Sequence, residues 1–402
     1  MAEERVVGAD SYFDRHDEQL VKWDGLPTSL GYEHDFVLAW LYGTPESKTT
    51  SYARVFLILG VVPFVLLSVT ATIEDTLILQ GEDAMGFFQD RVILALLLVL
   101  PLTVVLLKRL LTIAGKTFVG LQSSINKKKV TKGEYSDVLD KIWQIVDGTN
   151  HYRKFRYLLM AGGFAFWVYS SFAHYTYLGY KQGSNIWSFG DDHPLSFGAR
   201  TVWELLIFVF LYPILIYKVV ALIYAMNSFF REIPSEGFRV RVVAPDGAAG
   251  LGQMGRLALN LEFMFVPFIV VAVVYAVADQ GTTPIFFITF PLLMVLLVVA
   301  FFFPLSSAHK TMRDAKDRAM ETLEKEFNLH YDFLIYNVQE LGASLSDLEA
   351  AKSIENIKEV KYLYEETEKM PVWPFDFTTL RRFSATILLP TLVVILGEYW
   401  GP

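Results

Sequence analysis

Residues Ile285–Leu305 read IFFITFPLLMVLLVVAFFFPL, a run with no charged side chain. A helix needs about 20 mostly apolar residues to cross the hydrocarbon layer of a bilayer, and this stretch meets that requirement. Six further runs resemble it: Val55–Ile73, Val92–Leu107, Tyr157–Tyr177, Val202–Met226, Leu257–Ala278 and Phe383–Glu398. The second is expected to continue to about Ile113. The last is the shortest and contains Pro390, so it either spans or re-enters. The expected fold is therefore an all-α integral membrane protein with about seven transmembrane helices.

Basic residues orient such a chain, because Lys and Arg collect in the short loops on the cytoplasmic side. Lys116, Lys127, Lys128, Lys129, Lys132, Lys141, Arg153, Lys154 and Arg156 lie between the second and third runs. Arg231, Arg239, Arg241 and Arg256 lie between the fourth and fifth, and Lys310, Arg313, Lys316, Arg318, Arg381 and Arg382 between the sixth and seventh. The alternate loops are acidic: Glu74, Asp75, Glu82, Asp83 and Asp90 in one, Asp191 and Asp192 in the next. The alternation is unbroken and predicts a multi-pass protein of the cell inner (plasma) membrane, with its N-terminus in the cytoplasm and its C-terminus outside. The start, Met-Ala-Glu-Glu-Arg, lacks the basic and apolar pattern of a cleavable signal peptide. The first span is therefore expected to direct insertion.

Composition agrees. Of 402 residues 53% are hydrophobic, with 32 Phe, 20 Tyr and 8 Trp, above the 45–50% usual for soluble domains. The net charge of −8 gives no basic footprint for nucleic acid. The absence of cysteine removes disulfides, thiolate nucleophiles and Cys-ligated metal sites.

Between and around the spans the chain divides into an N-terminal arm (1–52), a basic insertion (108–156), a compact loop (228–256) and a long segment (306–382). The six-helix bundle covers 53–305 and the last helix 383–402. In the long segment Leu323, Phe327, Tyr331, Leu334, Val338, Leu341, Leu345 and Leu348 recur at steps of three and four, which keeps one helical face apolar. His309 to Leu341 would extend roughly 50 Å as a continuation of the sixth span. A return helix over Asp347–Lys369 would close a cytoplasmic hairpin within one subunit, or offer a coiled-coil seam between subunits. In Met370-Pro371-Val372-Trp373-Pro374-Phe375-Asp376 two prolines forbid a continuous helix. Asp376 or Thr378 is placed to cap the last helix. Trp373, Arg381 and Arg382 suit lipid headgroups, and so do Lys127, Lys128 and Lys129.

No catalytic signature is present. Gly250-Leu251-Gly252-Gln253-Met254-Gly255 has the glycine spacing of a dinucleotide loop and follows a strand-like run at 238–243. The helix after it is a membrane span, however, and no second strand follows. A turn at Pro245-Asp246-Gly247, close helix packing, or a backbone nest for an anion fits better. Ala114-Gly115-Lys116-Thr117 lacks the first glycine of a phosphate loop. His174 and His193, with Glu204, are too irregularly spaced for a metal site. No catalytic residue, metal or cofactor is expected.

Ala244–Gly255 and Met370–Phe383 resemble segments of an uncharacterised family of bacterial polytopic inner-membrane proteins. The resemblance implies a bacterial inner-membrane setting and no particular activity.

Ionisable groups inside spans cost roughly 2.5–3.5 kcal/mol each on insertion scales, so they are functional candidates. Glu204, Lys218, Asn260 and Glu262 form the candidate polar path. Arg200 stands four residues before Glu204 and can pair with it, and Lys218 and Glu262 are expected at similar depth, where they could pair. His174, Asp191, Asp192, His193 and Arg200 form a candidate outer vestibule. Pro63, Pro101, Pro213, Pro267, Pro291 and Pro390 mark expected kinks. The leading expectation is a channel-like or transporter-like protein, homo-oligomeric and cation-conducting, in contact with membrane lipids. A membrane-anchored scaffold with a cytoplasmic protein partner is the alternative, and an intramembrane lipid-acting enzyme the last.

Overall fold

The computed structural model describes residues 36–42, 48–80, 85–149, 152–182, 187–188, 193–239, 246–278, 284–339 and 347–400. Fourteen α-helices occur among them, in the order α1 (Phe36–Tyr42), α2 (Lys48–Phe56), α3 (Val62–Ile73), α4 (Arg91–Gly120), α5 (Lys132–Asp147), α6 (Tyr152–Gln182), α7 (Pro194–Leu205), α8 (Tyr212–Glu232), α9 (Gly252–Glu262), α10 (Val266–Ala278), α11 (Pro284–Phe302), α12 (Ser306–Gln339), α13 (Asp347–Glu368) and α14 (Phe377–Trp400). One isolated antiparallel bridge, Ile125 to Phe238, is the sole β-pairing among the described residues.

Among the described residues five stretches are long and apolar enough to cross a membrane: Tyr52–Ile73, Arg91–Ser124, Pro194–Glu232, Gly252–Val274 and Phe290–Tyr336. The expected spans Tyr157–Tyr177 and Phe383–Glu398 fall on α6 and α14, which are also continuous helices. At 24 residues α14 is about 36 Å long. Pro390 lies within it, so a re-entrant break is not formed. Pro101 and Pro291 likewise sit inside unbroken helices.

Three other prolines do perturb the backbone. Pro63 and Pro213 each follow a π-helical turn, Leu57–Val61 and Leu206–Leu211. Proline has no N–H for the i→i−4 ladder and its ring presses on the preceding turn, so the ladder widens just before it. Pro267 follows a tight turn at 263–265 that separates α9 from α10.

The π turn before Pro213 shapes helix packing. Its Phe208 carbonyl reaches the spot where a Cβ on Gly163 of α6 would stand, whereas the adjacent Gly162 meets nothing within 4 Å. Apolar burial does not drive helices together in lipid, so such small-residue contacts set the interface. Gly163→Ala is expected to destabilise the protein by about 1–3 kcal/mol through overpacking. Gly162→Ala should be neutral or gain up to about 1 kcal/mol of helix propensity. Thermal unfolding of both variants in detergent compares them directly.

The two ends of the bundle segregate. At one end Glu74, just past α3, accepts the backbone N–H groups of Leu195 and Ser196 at 2.7 and 2.9 Å and caps α7. Beside it Asp90 caps α4 through Ile93 N and accepts Trp187 Nε1 at 3.2 Å. The other end is larger. It holds the end of α4, helix α5, the 235–239 turn, the start of α9 and the approach to α14. Phe118, Tyr135, Trp143, Phe229, Phe230 and Phe238 pack there into one aromatic cluster. Helix α5 begins with a Thr131/Glu134 capping box and ends at Gly148, whose φ is +71°. Outside the bundle, Leu57, Phe64, Leu66, Phe166, Leu292, Val295, Leu388 and Leu389 are exposed, as lipid-facing side chains of apolar helices would be.

Helix α12 continues the line of α11 after one 3₁₀ turn at Phe303–Leu305, and α13 folds back along it. Helices α12 and α13 thus pack against each other within one chain. The apolar seam of α12 is only partly covered: Leu323, Phe327 and Leu334 are half-buried and Tyr331 remains 48% exposed. Residues 340–346, including Leu341 and Leu345, lie outside the described residues.

Candidate functional site: a buried carboxylate beside an aromatic junction

The segments 246–255 and 370–383 pack against each other. A Cβ on Gly255 would overlap the Pro374 carbonyl and stand 2.8 Å from Phe375 Cβ, so only glycine lets α9 approach this closely. Gly247 lies against Asp376. Asp376 caps α14 by accepting Thr379 N at 2.8 Å. Its carboxyl is held below its ordinary range, first by the Thr379 hydrogen bonds.

The glycine-rich turn is closed on itself. Asp246 accepts the backbone N–H groups of Ala248, Gly250 and Gly252 at 3.1, 3.0 and 3.0 Å. The nest for an anion therefore exists, but the chain's own carboxylate fills it, and neither a nucleotide nor a free anion has that place. Gly247, Ala249 and Gly250 take positive φ to aim these N–H groups inward. Partial burial works to raise the Asp246 pKa, but the three backbone donors and Arg256 outweigh it and hold the carboxyl below its usual value. A group so depressed stabilises the fold above the unfolded Asp value near 4 and loses that contribution as pH falls through the lower folded value. Asp246→Asn is therefore expected to lower the unfolding temperature at pH 7 and to narrow the gap to wild type as pH falls below about 4. Unfolding scans at pH 7 and pH 3 read both.

Around the turn an aromatic junction ties helices together. His309 of α12 stacks on Trp373 with ring centroids 4.2 Å apart, and its Nδ1 lies 2.7 Å from the Val372 carbonyl. Phe301 stacks on Phe383 at 4.4 Å, and Phe302 meets Trp373 and Phe375 edge-on. Lys316 Nζ donates to the carbonyls of Glu368 and Met370. The exit of α11, the base of the hairpin, the start of α9 and the start of α14 thus meet in one body. Trp373, expected among lipid headgroups, is half-buried in this junction.

Beyond the junction, on the face of α9 that Gly255 shares, lies Glu262. It is the last residue of α9 and is 0% exposed. Neither carboxylate oxygen has a hydrogen-bond partner among the described residues. Directly after it the backbone bonds tighten to i→i−3: Met264 N to Leu261 O, Phe265 N to Glu262 O and Val266 N to Phe263 O. Across the helix interface the Thr386 hydroxyl of α14 stands close enough to act on the carboxylate, but the bond it makes is to Arg382 O at 3.0 Å.

The expected Lys218–Glu262 pair is not formed. Lys218, also 0% exposed, faces α5: its Nζ donates to Val146 O at 2.9 Å and stands 3.8 Å from Asp147. Tyr217 donates to Ile145 O from the same side. Both side chains satisfy the carbonyls that end α5, where a cation also meets the helix dipole favourably. Lys218 docks the basic insertion on α8 and is not part of a polar path. Asn260 faces away from Glu262. It donates to Arg256 O at 2.7 Å and lines a cavity of about 90 Å³ with Leu106, Arg109, Leu110 and Phe263.

At the other end Arg200 and Glu204 form the expected pair at 2.8 Å, and Arg200 also binds the Ser188 hydroxyl at 2.7 Å. His193 flanks the start of α7 near Glu74. Burial alone would raise Glu74, but the bonds from Ser196 and Leu195 and the nearby His193 bring it below its usual range. The side chain of His174, and Asp191 and Asp192 altogether, lie outside the described residues. Among the headgroup candidates Lys127, Lys128, Arg381 and Arg382 are exposed, and Lys129 pairs with Glu236. The described residues hold no group of three His, Asp or Glu arranged for a metal ion.

Sequence reading allowed a backbone nest at this turn but missed that Asp246 fills it, and it missed the caps made by Glu74 and Asp90. Asp246 was detectable as an aspartate opening a glycine-rich turn; the Glu74 cap joins residues 121 positions apart and leaves no local signal. Comparison with protein-family models, curated proteins and solved structures finds no match to this chain.

Proposed function

We propose that this is a channel-like or transporter-like membrane protein in which the α12–α13 hairpin is coupled to the helix bundle through the aromatic junction. The observation that carries this reading is Glu262: a carboxylate wholly buried in an apolar stretch, with no hydrogen-bond partner among the described residues, at the break between two half-helices. Structural carboxylates in such places are paired; discontinuous membrane helices are where transporters place ion and substrate sites. The basic end faces the cytoplasm on this reading, by the distribution of Lys and Arg. The acidic end then draws cations to the outer mouth, and the partly uncovered seam of α12 and α13 supports assembly of several subunits.

Purified protein in planar bilayers should pass current under Na⁺ or K⁺ gradients. Silence under every ionic gradient would remove the reading. The scaffold alternative draws on the exposed Leu329, Tyr331, Phe333 and Tyr336 of the hairpin. It requires that deleting 310–368 abolish partner capture while leaving membrane insertion intact.

A further inference from the structure

We propose that Glu262 is a proton-binding site and that its protonation switches the hydroxyl of Thr386 between two acceptors, altering the contact of α9 with α14. The inference rests on the transport reading for its consequence, though not for the binding itself.

Among the described residues no cation pairs with Glu262. Among the described residues α4, α11, α14 and the 303–305 turn pack on α9, and the Pro374–Phe375 approach to α14 packs on it at Gly255. Helix α11, the turn and α10 carry no Asp, Glu, His, Lys or Arg. Helix α4 contributes Arg109, which is exposed and lines the cavity on another face of α9. Helix α14 contributes Arg381 and Arg382, both exposed, and Arg256 of α9 itself is exposed too. None of them forms an ion pair with Glu262. A bare carboxylate in such a place costs several kcal/mol, so a bound species must accompany its charge.

The donor set decides which species. A Ca²⁺ or Mg²⁺ ion requires about six or more oxygens. Here there is one carboxyl group and one hydroxyl, and the carbonyls of Leu259, Leu261, Glu262 and Phe263 are already engaged by the tightened turn. A proton needs a single oxygen. With the proton bound, the Glu262 O–H can donate to Thr386 Oγ1 while the Thr386 hydroxyl keeps its bond to Arg382 O. When the proton leaves to water, two carboxylate oxygens accept and only one hydroxyl hydrogen is near. Thr386 must then turn from Arg382 O to Glu262. That exchange frees a carbonyl one turn down α14, on the helix whose Phe383 stacks on Phe301 at the junction.

Infrared difference spectra of the full-length protein in lipid, recorded between acidic and alkaline pH, test this without any transport assay. A titrating carboxyl C=O band is expected that is absent from Glu262→Gln. In Thr386→Val, which keeps the carboxyl group, the same band should shift in frequency and midpoint. Three results would overturn the proposal: no titrating band distinguishing wild type from Glu262→Gln; a band unmoved by Thr386→Val; or a band displaced by Na⁺ or K⁺ at fixed pH, which would make the ligand a metal cation. A protein silent in bilayers that still shows the band would lose the transport reading and keep the proton site.

Discussion

Gly255→Leu is expected to separate the hairpin from the bundle. The Cβ of any residue larger than glycine would press on the Pro374 carbonyl and the Phe375 backbone, with Phe375 Cα 3.1 Å away. These are main-chain atoms held by the Asp376 cap on one side and the His309–Trp373 stack on the other. They cannot yield as a flexible side chain would. Overpacking of this kind costs about 1–3 kcal/mol for the first methyl and more for a branched chain. Unfolding in detergent should show a lower midpoint for Gly255→Ala and a still lower one for Gly255→Leu. Protease should also cut sooner near 369–376 in both. An unchanged midpoint in Gly255→Leu would show that α9 and the approach to α14 are not in firm contact.

The second large effect belongs to Lys218. Replacing it by Ala removes the ammonium from beside Asp147, which is 4% exposed, and leaves the Val146 carbonyl without its donor. Breaking one half of a buried ion pair costs about 3–5 kcal/mol, whereas replacing both halves together is far milder. Lys218→Met combined with Asp147→Leu should therefore be more stable than Lys218→Met alone. Equal losses in the single and double variants would deny the pair a role in docking α5.

Much of the architecture could be read from composition and period. The run at 285–305 lies on α11 and the turn after it, and the return helix expected at Asp347–Lys369 is α13, Asp347–Glu368. Hydropathy and heptad spacing determine where a helix lies along the chain, and charged loops determine which ends lie together. They do not determine which way a residue faces or what stands opposite. Lys218 and Glu262 were placed at one depth, yet Lys218 turns toward α5, a helix that the sequence marks only as part of a basic insertion. The two resembling segments, 126 residues apart from Ala244 to Met370, gave no sign that they touch. The π turns were invisible because proline permits either a kink or, as in α4 and α11, an unbroken helix. Glu262 was marked by charge within an apolar run. Its isolation could only be seen once the faces of α4, α11 and α14 were known.

Cation flux in proteoliposomes, with wild type, Glu262→Gln and Glu204→Gln side by side, tests the central claim most directly. The expected result is flux in wild type, a change of tenfold or more in Glu262→Gln, about 1.4 kcal/mol in barrier or binding, and a smaller change in Glu204→Gln, whose carboxylate serves the Arg200 pair. Equal flux in wild type and Glu262→Gln, or none in either, would contradict it.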